Sequence, residues 1–111
     1  MVLAAALAAA AGSAPAQQPA SAAPTFADPN LTEKGARALA ANCAICHGTE
    51  GRAAAGSNVR GLAGRPRQEL VQIMAAFRDG SRPATIMHQI AKGYSQAEIE
   101  AMADWFARQP R

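Results

Sequence analysis

Charge is absent from residues 1–27, so all 11 Lys and Arg and all 8 Asp and Glu fall in residues 28–111. The first stretch therefore has neither the ion pairs nor the polar face of a surface helix. Cysteine is scarce too: Cys43 and Cys46 are the only two. A disulfide framework spread over the chain is excluded. No alternating β-branched run occurs, which excludes a strand-built core and leaves an all-α fold. Long apolar runs are missing as well. Met1 to Ala11 is mostly alanine and falls well short of the roughly 20 apolar residues of a membrane span. Followed by Ala14-Pro15-Ala16, it resembles the apolar region and cleavage site of a secretory signal, although the basic segment that usually precedes such a region is absent. Prolines at 15, 19, 24 and 29 among Ala, Gln and Ser mark a flexible leader. The chain thus divides into a signal-like leader, residues 1–27, and one domain, residues 28–111. A domain of this size buries a limited core, and a bound group would add apolar mass.

What is present centres on Cys43-Ala44-Ile45-Cys46-His47. Two cysteines three apart, followed at once by histidine, form the attachment signature of c-type haem. One helical turn sets the two sulfurs at the separation of the porphyrin vinyl groups. His47 then becomes the proximal iron ligand. A haem-free thiol oxidoreductase would place its Cys-x-x-Cys at a strand-to-helix junction, which is missing here. Zinc would have to use Cys43, Cys46, His47 and His88, a strained set for a tetrahedral site.

Around the motif the chain reads as helices. The first is expected from Asn30, with Glu33 in capping-box position, through to Cys43, interrupted by Gly35. Glycines at 48, 51, 56, 61 and 64 predict an irregular loop able to wrap a flat ligand. Pro66 opens a second helix whose apolar face is Leu70, Ile73, Met74 and Phe77, ended by Gly80. Ala84 to Lys92 forms a short helix closed by Gly93. The last helix starts at Ser95, with Glu98 completing a capping box, Tyr94 stapling onto Ile99, and Ile99, Met102, Trp105 and Phe106 facing inward.

The opposite iron face needs a second ligand, and the candidates are Met74, Met87, Met102 and His88. Met74 and Met102 lie on apolar helix faces, where methionine packs cores. Met87 lies beyond the second helix in Thr85-Ile86-Met87, where a loop can carry it across the haem, and it is the expected ligand. His88 would give bis-histidine ligation and a lower potential. Adjacent helical residues point about 100° apart, so Met87 and His88 cannot both face the iron, and His88 is otherwise a surface or packing residue. A thioether raises the potential relative to two imidazoles and closes the iron to small molecules. That favours electron transfer. The alternative is a haem enzyme or gas sensor with an open distal site.

These residues carry a resemblance. Cys43 to Gly48, Gly61-Leu62-Ala63-Gly64-Arg65-Pro66, and Ala84 to Ser95 resemble a class I cytochrome c over residues 30–109. Within it the chain is most similar to single-haem halves of diheme periplasmic cytochromes and to the haem subunit of flavocytochrome c sulfide dehydrogenase. The resemblance implies a cytochrome c fold, about four helices around one covalently attached haem c. It implies thioethers at Cys43 and Cys46, iron ligation by His47 and Met87, and Leu62 packed on the haem. Gly35 and Trp105 match the contact at which the terminal helices cross. A redox protein partner, such as a flavoprotein subunit, and a periplasmic location are implied too.

One position departs from the subgroup. A proline usually precedes Gly-Leu-Ala-Gly and presents its carbonyl to the proximal imidazole, whereas this chain has Arg60. The carbonyl survives, so the bond is expected to persist on a less rigid chain.

Charge is uneven. Residues 52–92 carry seven cations (Arg52, Arg60, Arg65, Arg67, Arg78, Arg82, Lys92) against Glu69 and Asp79. Such cations suit haem propionates or an acidic redox partner. Nucleic acid is excluded as a target, because aromatic residues do not interleave with the charges.

Overall fold

The computed structural model describes residues 31–111; the leader expected over 1–27 and the Asn30 cap lie outside the described residues. Among the described residues there are five α-helices and no strand: α1 (Glu33–Ala41), α2 (Ala44–His47), α3 (Arg67–Asp79), α4 (Met87–Lys92) and α5 (Gln96–Ala107), with a 3-10 turn at Thr49–Gly51 between α2 and α3. The all-α expectation holds. The helix count rises from about four to five because the first helix stops before the motif. Asn42 and Cys43 N–H bond back three residues, to Leu39 and Ala40 carbonyls at 3.2 and 3.0 Å, which tightens the chain out of α geometry. The motif then forms its own turn.

Thr32 caps α1: its hydroxyl accepts from Gly35 N–H at 3.2 Å while its backbone stays extended. The atoms nearest to a Cβ at Gly35 would be those of Leu31 and Thr32 of the same segment. The small buried residues of α1 are Ala36 and Ala40. Pro66 also stands one position earlier than expected. Its ψ of 131° keeps it outside the helix, and Arg67 is the first helical residue. Gly80, at φ 83°, ends α3 as expected.

The strongest local match is α5. The Ser95 hydroxyl accepts from Glu98 N–H at 3.2 Å, and the Glu98 carboxylate accepts from Ser95 N–H at 2.7 Å. This reciprocal cap satisfies two otherwise orphaned donors and explains why Glu98 is buried. Ile99, Met102, Trp105 and Phe106 are buried on the same helix.

The core unites α1, α3 and α5: Ala36 and Ala40, Leu70, and Ile99, Met102, Ala103, Trp105 and Phe106. Trp105 and Phe106 meet edge to face, with centroids 5.0 Å apart. This core is small, and Ile99 is its largest fully buried side chain. Leu39, Cys43, Leu62 and Met74 are only partly buried against it. Ile73 and Phe77, expected on the same buried face as Leu70, are half-buried as well. Helix α4 packs chiefly on α3.

Candidate functional site

The helical turn of α2 carries the motif. Cys43 immediately precedes it and is half-buried, and Cys46 on it is exposed; both thiols are free. Burial first, and then the neighbouring Cys46, pushes the Cys43 thiol up from its ordinary value. The strand-to-helix junction of a redox thiol site is missing among the described residues. Among the described residues, no three His, Cys, Asp or Glu side chains converge.

His47 ends α2, and its Nδ1 lies 2.6 Å from the Arg60 carbonyl oxygen. A carbonyl can only accept, so Nδ1 carries the proton and Nε2 keeps a free lone pair. Backbone bonds hold that carbonyl in place without proline. Leu62 and Ala63 N–H both donate to the Gly51 carbonyl, at 2.7 and 3.1 Å, and Gly64 N–H donates to the Phe106 carbonyl at 2.9 Å. The loop after Arg60 is thus tied to the turn after the motif and to α5. Two glycines make this possible. A Cβ at Gly48, where φ is 87°, would overlap the Arg52 carbonyl; one at Gly51, where φ is 80°, would come within 2.8 Å of the Phe106 ring. The 3-10 turn between them is a small departure from the irregular loop expected there.

Met87 is the first residue of α4, not a loop residue, and is half-buried. Ile86, with φ −136°, breaks helical geometry, so the short helix begins later than Ala84. His88 follows on α4. It is half-buried, and its Nδ1 is buried with no hydrogen-bond partner among the described residues. Periodicity alone had no way to show this, because it depends on how α4 sits on α3. Leu62 is half-buried against the core.

The cations pair off in part. Arg52 meets Glu50 at 2.6 Å, Arg65 meets Glu69, and Arg67 reaches Glu100 at 3.2 Å. Arg82 lies over the Phe77 ring, 5.3 Å from its centre.

These residues fit a c-type haem. Two free thiols stand one turn apart, and an imidazole beside them is oriented through Nδ1 with Nε2 available. Large apolar side chains are exposed on the segments that bear the motif and Met87: Ile45 at 88%, Ile86 at 59%, Val59 at 39% and Ile90 at 37%. No helix among the described residues is long and apolar enough to cross a membrane.

Comparison with known proteins gives concordant matches. A family profile described as cytochrome c oxidase, cbb3-type, subunit III matches residues 30–106. The cytochrome subunit of sulfide dehydrogenase from Chlorobaculum tepidum is 34% identical over 76 residues, which is 68% of this chain and 67% of that protein. The thiosulfate dehydrogenase electron acceptor of Thiomonas intermedia is 35% identical over 69 residues, 62% of this chain. The matched segment spans about a third of that acceptor's length, 32%. Cytochrome c-553 of Nitratidesulfovibrio vulgaris is 31% identical over 74 residues, covering 64% of this chain and 72% of the relative.

Proposed function

This chain belongs to the cytochrome c family that the cbb3-type oxidase subunit III profile describes, and from that premise we propose that it is a periplasmic electron-transfer protein in which His47 and Met87 close both faces of one haem. The group held there supplies a one-electron iron couple. Cys43 and Cys46 supply the two sulfurs of the thioether links. His47 supplies Nε2, oriented by the Nδ1 proton that the Arg60 carbonyl accepts. Met87 supplies its thioether from the start of α4, which favours the reduced state relative to a second imidazole and excludes small molecules from the iron. Leu62, Ile86 and Ile90 supply apolar contact around the ring.

The observation that carries this reading is the His47–Arg60 bond. It fixes the tautomer and aim of the one histidine that follows the two cysteines, as metal-bound imidazoles require. Relatives named as a cytochrome subunit and as electron acceptors support a redox protein as partner. The subunit name supports a dehydrogenase complex, and a flavoprotein as its other subunit is the partner that the resemblance to flavocytochrome c implies. The same relatives and the signal-like sequence of residues 1–27 support a location outside the cytoplasm.

The absorption spectrum of the haem after denaturation in alkaline pyridine tests the attachment. Two thioether links are expected, and one after Cys43→Ser. Haem that extracts freely from the denatured protein would refute the reading. Co-purification of a flavin-containing second chain tests the subunit role.

A further inference from the structure

The Arg60 residue works in two directions. Its carbonyl accepts from His47 Nδ1, and its side chain lines an open cleft of about 590 Å³ shared with Arg52, Arg65, Glu69 and Arg111. The other residues that line it, Gly51, Ala53, Gly61 and Ala63, are all small. No aromatic side chain lines the cleft, so it offers no stacking surface for a base or a ring.

Four cations face one carboxylate there. Arg65 is engaged with Glu69, and Arg52 with Glu50 outside the cleft wall. Arg60 has no carboxylate at ion-pair distance among the described residues, and Arg111 donates to a neutral acceptor, the Gly64 carbonyl, at 3.0 and 3.2 Å. The field inside is positive. The Arg65 hydrogen bond is the main reason that the Glu69 carboxyl is held below its ordinary value, and the charges of Arg60 and Arg111 act in the same direction. Four arginines line one open cleft, and planar guanidinium forks are matched by tetrahedral oxyanions.

We propose that the cleft of Arg52, Arg60, Arg65 and Arg111 binds a divalent tetrahedral oxyanion, and that its occupancy is felt at His47 through the Arg60 peptide. The anion fastens the Arg60 side chain, and so the carbonyl that aims His47. It also lowers the positive potential beside the imidazole, which favours the oxidised state. By linkage, oxidation of the iron tightens anion binding by the same factor. The coupling rests on His47 as proximal ligand; the binding does not.

The test uses the haem-loaded protein titrated with sodium sulfate, ionic strength being held constant with sodium chloride. Calorimetry is expected to show saturable binding, about threefold tighter in the oxidised protein. Spectroelectrochemistry is expected to show a saturable fall in midpoint potential of about 30 mV, the same factor at 59 mV per tenfold for one electron. Arg60→Gln keeps the carbonyl and removes the charge, and should weaken binding at least about tenfold. Arg111→Gln should weaken it as well, whereas Arg82→Gln, outside the cleft, should bind as the parent does. Absence of saturable heat, or equal binding by Arg60→Gln with an unchanged haem spectrum, would overturn the site. Saturable binding with an unmoved potential would overturn the coupling. Neither result bears on haem attachment, which the denatured spectrum decides separately.

Discussion

His47 Nδ1 and the Arg60 carbonyl oxygen lie 2.6 Å apart across 13 positions of chain, and the link needs only the backbone of residue 60. Replacing Arg60→Pro therefore retains the acceptor while restricting the unfolded chain. The haem-loaded variant is expected to gain about 0.4–1 kcal/mol in guanidinium unfolding. A loss of stability would mean that the Arg60 backbone is not in a proline-compatible conformation.

Gly51 joins the motif to the core. Its carbonyl accepts from Leu62 and Ala63, its φ is 80°, and a Cβ there would press on Phe106. Gly51→Ala is expected to cost about 2 kcal/mol, from left-handed backbone strain and overlap with the ring. Thermal unfolding followed at the haem band and at Trp105 fluorescence checks this. Both signals should move together, because the 3-10 turn and α5 share the contact.

The cap of α5 is separable from the redox site. Ser95→Ala removes the hydroxyl that accepts from Glu98 N–H and should cost about 1 kcal/mol. The midpoint potential should stay that of the parent. A shifted potential would show that α5 controls the iron directly.

Glu69 supplies a pH signature. The hydrogen bond from Arg65 holds its carboxyl below the ordinary glutamate value. A depressed folded-state pKa contributes stability above the unfolded value and loses it as pH falls through the folded one. Glu69→Gln should therefore be less stable than the parent at neutral pH, and the gap should close on acidification through the carboxylate range. Denaturant midpoints measured across that range give the comparison. The exposed pair makes the gap small.

How legible the molecule was in its sequence depended on range. Ser95 and Glu98 could be paired by eye because both partners of the cap lie within one turn. At the α1 start, Asn30 and Thr32 are both good caps by residue type, and the cap that the described residues show is the Thr32 hydroxyl accepting from Gly35 N–H. The buried small residues of α1, Ala36 and Ala40, have no signal in the sequence that separates them from the other alanines of the helix. The motif residues were readable from spacing alone. The bond that orients His47 came from the resemblance, and the backbone ties that replace proline stiffness at Arg60 involve Gly51, Gly64 and Phe106, which no local pattern connects. The unpartnered Nδ1 of His88 was likewise hidden, since burial there depends on α4 lying against α3.

The most direct measurement of the whole proposal is carbon monoxide binding to the reduced protein before and after Met87→Ala. With His47 and Met87 on the two faces of the iron, the parent should be unreactive on mixing and the variant should bind promptly. A parent that binds carbon monoxide as readily as the variant would remove Met87 as a ligand, contradict the closed site, and favour a haem enzyme or gas sensor.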